Sequence, residues 1–178
     1  MNDILVFLLA FCLSYFISQV VCRYGKQLKI LDDPSSHKHP KVIHQTTVPR
    51  GGGIPISITV IVLLLLFAGL TLQTIGIITG IITLAVTGFI DDRFEEKFSP
   101  YTRLILNIAA AVALVISGVS ISFITNPFGG ILYFGFWISA GLTIFWLVWM
   151  QNIVGWSSGV DGQLPGFVIV AAITMALL

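Results

Sequence analysis

Charge is what this sequence is short of. Only 10% of its 178 residues are Asp, Glu, Lys or Arg, where a soluble globular chain carries about a quarter. With 56% hydrophobic residues and a mean hydropathy of +0.98, the composition excludes an ordinary soluble domain. Cysteine is scarce too. Cys12 and Cys22 both fall in the first apolar run, without metal-ligand spacing and without a disulfide framework, so they read as small buried apolar residues. No P-loop, G-x-S-x-G or dinucleotide fingerprint occurs, and the triplet Gly51-Gly52-Gly53 is not a nucleotide signature by itself. The apolar runs also lack ionisable residues at mid-length, which weighs against a transporter or channel.

What the chain does have is apolar runs of membrane length. A helix needs about 20 apolar residues to cross the hydrocarbon core, and open strands cannot cross, because lipid leaves their backbone groups unpaired. The expected fold is an all-α polytopic membrane protein, with residues 1–178 as one transmembrane domain. The first crossing runs from Ile4 to about Cys22. Its basic residues, Arg23, Lys26 and Lys29, follow the apolar run, which favours a retained helix with its N-terminus outside over a signal peptide. Further crossings are expected at Ile54–Leu72, Ile75–Ile90, Leu104–Ile124 and Ile131–Met150, with outside turns at Gln73-Thr74 and Thr125–Gly130. Trp146 and Trp149 suit an interfacial aromatic belt. A sixth run opens at Gly166 and reaches Leu178 after thirteen residues, about 20 Å against a core of about 30 Å. Five complete helices and a truncated sixth are therefore expected, in the N-terminal part of a longer protein.

The few charges are distributed one-sidedly. All nine Lys and Arg residues lie in the polar stretches at about 24–53 and 91–103 or at their edges. The positive-inside rule makes these loops cytoplasmic, and alternation adds the loop at about 151–165. Every carboxylate except Asp3 is on that side, with His37, His39 and His44.

Three constellations there could do chemistry. Asp91 and Asp92 directly follow an apolar run, where ionised groups lose hydration. A hard cation such as Mg²⁺ would offset their repulsion while bridging to phosphate oxygens; an acidic solvated loop balanced by Arg93, Lys97 and Arg103 is the alternative. Asp161, between Gly159 and Gly162, is the one charged residue after Arg103. It reads as a functional carboxylate, the alternative being that Asp161 or Ser158 is an N-cap starting the sixth helix. In the first loop, Arg50 and the glycines at 51–53 could present charge and backbone N–H groups to an anion. The loop's histidines and lysines fit phosphate or lipid headgroups equally, and a zinc site from His37, His39 and His44 is disfavoured.

Taken together these loops resemble the polyprenyl-phosphate N-acetylhexosamine-1-phosphate transferase superfamily, over nearly the whole chain and in the right order. His44 to Ile54 looks like its H-x(5)-R-x-G-G segment, with Asp32-x-Pro34 like the preceding D-x-P. Gly88 to Asp92, followed by Ser99-Pro100, looks like its aspartate pair, and Asn152 to Gly162 is similar to N-A-x-N-x-x-D-G-x-D-G. The resemblance implies transfer of a HexNAc-1-phosphate from a UDP-sugar to undecaprenyl phosphate, releasing UMP, at the cytoplasmic face of the inner (plasma) membrane. It implies catalytic roles for Asp91 and Asp92, Mg²⁺ ligation by Asp92 and Asp161, and substrate binding by His44, Arg50 and Asn152. The bilayer and the two substrates are the expected partners; nucleic acid is not, and a homodimer is left open. The sequence departs from the pattern at Gly155, where an asparagine is usual, at Ser158, where an aspartate is usual, and at Asn107, where many members have glutamine. The family's later Gly-Asp and histidine motifs would fall beyond Leu178, so this stretch alone is expected to be inactive. A catalytically dead assembly subunit is the other reading of those departures.

Overall fold

The apolar runs fold as helices joined by short connections. In this computed structural model, residues 3–28, 30–32, 48–49, 51–94, 98–156 and 162–177 are described. The helices are α1 (Asp3–Leu28), α2 (Gly53–Leu63, prolonged by one π-helical turn, Leu64–Ala68), α3 (Leu72–Arg93), α4 (Pro100–Ile116), α5 (Phe136–Trp156) and α6 (Gln163–Leu177). Two antiparallel strand pairs accompany them: β1 (Leu31–Asp32) with β2 (Val48–Pro49), and β3 (Phe123–Thr125) with β4 (Ile131–Tyr133). Among the described residues α1, α3 and α5 are long and apolar enough to cross a membrane by length and composition. The shorter apolar helices, Gly53–Ala68, Pro100–Ile116 and Gln163–Leu177, reach about 22–26 Å at 1.5 Å per residue.

Burial is inverted relative to a soluble protein. Among the described residues the buried hydrophobic side chains are Val21, Ile30, Ala110 and Ala111, while Thr59, Thr74, Thr87, Asn107, Ser117, Ser139 and Thr143 are buried polar ones. The large apolar side chains face outward, Phe128 at 97% exposure and Trp137 at 84% among them. Water would penalise such a surface heavily. Lipid does not, and helices there associate through small residues and hydroxyls. Several hydroxyls are satisfied within their own helix: Thr79, Thr83 and Thr87 each donate to the carbonyl four residues back, at 2.8, 2.8 and 2.7 Å, whereas Thr59 Oγ1 is buried without a partner among the described residues.

The element bounds differ from the expected crossings, each for a local reason. The turn after α2 falls at 69–71, because Gly69 takes a positive φ of 69° and Thr71 caps α3, its side chain accepting from the Thr74 N–H at 3.1 Å. Gln73 and Thr74, expected as the turn, are therefore helical. Helix α3 continues through Asp92 to Arg93, so the aspartates lie in its last turn rather than in a loop. Helix α4 starts at Pro100 behind the N-cap Ser99 and stops at Ile116, eight residues before the expected Ile124. The stretch beyond it makes the all-α expectation incomplete. The β-branched and aromatic residues of Phe123–Thr125 and Ile131–Tyr133 pair as a hairpin, with Gly129 and Gly130 at φ 108° and 84° in its turn. Helix α5 consequently starts at Phe136 and runs through Asn152 to Trp156.

The chain divides into two compact units, Met1–Val119 and Ser120–Leu178. In the first, α1 packs on α2, α2 on α3 and α3 on α4. Glycines set the α3–α4 distance: a Cβ on Gly76 would overlap the Ser117 side chain, and one on Gly80 would touch Leu114 Cδ1 at 3.4 Å. At the other end of the row, the fully buried Ile30 fits over Gly51, where an added Cβ would lie 2.8 Å from its Cδ1. In the second unit, Ser139 Oγ donates to Ile121 O at 2.8 Å and Thr143 Oγ1 accepts from the Ile121 N–H at 2.8 Å, which ties the segment leading into the hairpin to α5.

Gly76→Leu should lower stability in detergent by about 1–3 kcal/mol or more through overpacking, read by thermal unfolding. Ile82→Ala, on an exposed position, should stay close to the parent.

Candidate active site

The end of the first unit that carries chemistry is built from helix ends. Successive antiparallel helices return to one end of the row, so the start of α2, the end of α3 and the start of α4 meet there. Asp91 and Asp92 occupy the last turn of α3, which closes with the Phe94 N–H on Ile90 O at 2.9 Å. A helix C-terminus carries partial negative charge, which favours cations and disfavours carboxylates. Two adjacent aspartates there therefore need compensation from outside the helix.

Neighbouring residues on a helix point about 100° apart, and the two carboxylates meet different partners. Asp91 Oδ1 accepts from Arg103 Nη2 of α4 at 2.5 Å. Asp92 lines a pocket of about 260 Å³ between α2 and α3, shared with Gly51, Gly53, Ser57, Gly88 and Phe89. The pocket thus joins the aspartate pair to the glycine-rich segment, although 36 residues separate Gly53 from Phe89 in sequence. Arg93 lies against a different group, 5.4 Å from the Phe94 ring centroid. One turn beyond Arg103, Asn107 is buried on α4 and makes no side-chain hydrogen bond among the described residues.

Asn152 lies in the second unit, half-buried near the end of α5, with its Nδ2 donating to Val148 O at 2.7 Å. Beside it, Gln151 Oε1 is buried without a partner among the described residues. A Cβ added at Gly155 would meet nothing within 4 Å among the described residues. His44, Arg50 and Asp161 lie outside the described residues. Two features escaped sequence reading. Ser57 belongs to the pocket, but nothing in an apolar run marks which hydroxyl faces a neighbouring helix. The choice of Arg103 over Arg93 and Lys97 as the partner of Asp91 needed the α3–α4 register.

A helical protein with lipid-type burial and carboxylates at the shared end of several helices defines a membrane-embedded class with an acidic site. Comparison narrows it. The pattern defining glycosyl transferase family 4 matches residues 74–178, more than half of the chain and inclusive of the aspartate pair and the third motif. The chain belongs to glycosyl transferase family 4. It is 25% identical over 177 residues to a probable undecaprenyl-phosphate N-acetylglucosaminyl 1-phosphate transferase of Bacillus subtilis (strain 168), covering 98% of this chain and 48% of that protein. It is 26% identical over 188 residues to a phospho-N-acetylmuramoyl-pentapeptide-transferase of Streptococcus pyogenes serotype M3 (strain ATCC BAA-595 / MGAS315), covering 95% and 53%. The chain thus spans about half the length of the curated relatives it matches. No solved structure matches it significantly.

The Arg103–Asp91 pair is partly exposed, 46% at the arginine and 26% at the aspartate. Arg103→Met should therefore change unfolding free energy by no more than about 1 kcal/mol, as measured by denaturation of the detergent-solubilised protein.

Proposed function

We propose that the full-length protein is a phosphoglycosyl transferase that moves a HexNAc-1-phosphate from a UDP-sugar to undecaprenyl phosphate and releases UMP. This would be the membrane-committed first step of a cell-envelope glycan, at the cytoplasmic face of the inner (plasma) membrane. The observation that carries the reading is the pocket where Asp92 of the second motif meets Gly51 and Gly53 of the first. Both substrates are anionic, so the reaction depends on charge neutralisation and in-line positioning. A pocket at the ends of apolar helices lets a lipid-borne phosphate reach an acidic site without leaving the bilayer surface.

Among the described residues no group of three or more His, Cys, Asp or Glu side chains is placed to hold a metal, and the Mg²⁺ reading rests on the chemistry of Asp92. Aspartate oxygens are hard ligands, and Mg²⁺ commonly takes one or two carboxylates and completes its shell with water and substrate phosphates. Asp92 would supply a carboxylate to the ion, which when bound neutralises pyrophosphate charge and stabilises the leaving UMP; Asp161, which the family resemblance also assigns to the metal, lies outside the described residues. In this reading Asp91 is oriented by Arg103 and shapes the field around Asp92. His44, Arg50 and Asn152 bind substrate phosphates and the nucleotide. The acceptor phosphate is largely ionised at neutral pH, so neither aspartate has to act as a strong base.

Full-length protein in detergent should release UMP from a UDP-HexNAc in the presence of Mg²⁺ and undecaprenyl phosphate. Asp92→Asn and Asp91→Asn should each lower kcat/KM at least about a hundredfold. No release with any UDP-HexNAc, or full activity in both variants, would refute the transferase reading. The first of these outcomes would favour the catalytically inactive assembly subunit, the reading that the departures at Gly155 and Ser158 support.

Sidedness has its own test. Single cysteines placed at Ser99 and at Gln73, in a variant with Cys12 and Cys22 replaced by serine, should respond oppositely to a membrane-impermeant thiol reagent added to intact cells. Labelling at 73 with protection at 99 supports cytoplasmic aspartates, and the reverse pattern inverts the topology.

A further inference from the structure

The α2 wall of the Asp92 pocket carries one hydroxyl, and we propose that this group, on Ser57, is a phosphate-binding donor for the lipid-phosphate acceptor. The inference rests on the transferase reading above and adds to it a residue that none of the sequence motifs contains.

Ser57 stands one turn into α2 from Gly53 and lines the same pocket as Asp92. It is half-buried, and its hydroxyl makes no hydrogen bond among the described residues. That sets it apart from most other hydroxyls of these helices. Thr79, Thr83, Thr87, Thr143 and Thr174 all donate to the carbonyl four residues back, and Ser117 to the one three back. The equivalent carbonyl for Ser57 belongs to Gly53, and the Ser57 hydroxyl does not donate to it. A hydroxyl without a partner in surroundings of low polarity carries a desolvation cost, which an incoming acceptor atom would remove.

The surroundings define the class of that acceptor. The N-cap of α2, Gly52, makes no side-chain capping bond; the Ile54 N–H donates to Gly51 O at 3.1 Å, which leaves the Gly53 N–H and the positive end of the helix dipole to face an anion. A Cβ placed on Gly53 would meet nothing within 4 Å among the described residues. Pro55 supplies no N–H to the first turn, and Ser57 adds a donor one turn further in. Ile54, Leu84, Ala85 and Phe89 make the remaining walls largely apolar. A phosphate monoester attached to a hydrocarbon chain matches both parts: its oxygens meet the hydroxyl and the helix start, and its chain continues along apolar side chains. The donor's pyrophosphate offers the same oxygen chemistry from the aqueous side, so the experiment has to separate the two sources.

The test uses full-length protein in detergent with Mg²⁺, comparing the parent with Ser57→Ala, Ser57→Thr and Asp92→Asn. KM is measured separately for undecaprenyl phosphate and for the UDP-sugar. Retention of undecaprenyl phosphate and of uncharged undecaprenol is counted by native mass spectrometry. Ser57→Ala should raise KM for undecaprenyl phosphate about tenfold, the loss of one hydrogen bond to a charged group, with kcat within about twofold. It should weaken retention of undecaprenyl phosphate and leave undecaprenol unchanged, and Ser57→Thr should restore both. A folded Ser57→Ala protein with parental KM and parental retention of undecaprenyl phosphate overturns the proposal. A KM rise confined to the UDP-sugar overturns the acceptor assignment and moves the phosphate to the donor. If the parent itself releases no UMP, the transferase reading fails on its own, and the retention ratio between parent and Ser57→Ala still decides whether Ser57 binds a lipid phosphate.

Discussion

The close approach of α3 to α4 is the constraint on which the acidic site depends. It is possible because Gly76 and Gly80 present no side chain where Ser117 and Leu114 come against them. Ala110 and Ala111 continue the small-residue seam on α4. With large side chains turned outward, little hydrophobic driving force holds these helices together, and van der Waals contact across small residues takes its place. That contact fixes the axial register of the pair. Fifteen residues from Gly76, the same register brings Asp91 opposite Arg103.

Electrostatics at the end of α3 then explains why the two aspartates do different things. Both sit where the helix dipole is unfavourable to them. Arg103 compensates Asp91, while Asp92 turns toward the start of α2, whose dipole has the opposite sign. The pocket is thus a meeting of a negative helix end carrying a carboxylate with a positive helix end lined by glycine.

Much of this was legible in the sequence, though unevenly. Apolar runs announced helices because lipid-facing segments have to satisfy their own backbone groups, but their ends were misplaced by several residues. The ends are decided by local chemistry that hydropathy does not register: the positive φ at Gly69, the capping oxygens of Thr71 and Ser99, and the turn glycines at 129 and 130. The hairpin at Phe123–Tyr133 was missed because a short run of β-branched and aromatic residues is as apolar as a helix end. Asp91 and Asp92 stood out because carboxylates beside an apolar run are costly, and Ser57 did not because a serine within one is not.

By itself, the sequence determined the membrane character, the helical class and the family, since each follows from residue type and order along the chain. Only the tertiary structure decided which carboxylate faces which helix, which arginine compensates Asp91, and that Gly51, Ser57 and Asp92 share one pocket. Those relations depend on helix register and rotation, which glycine contacts between non-adjacent segments set and which linear spacing does not encode.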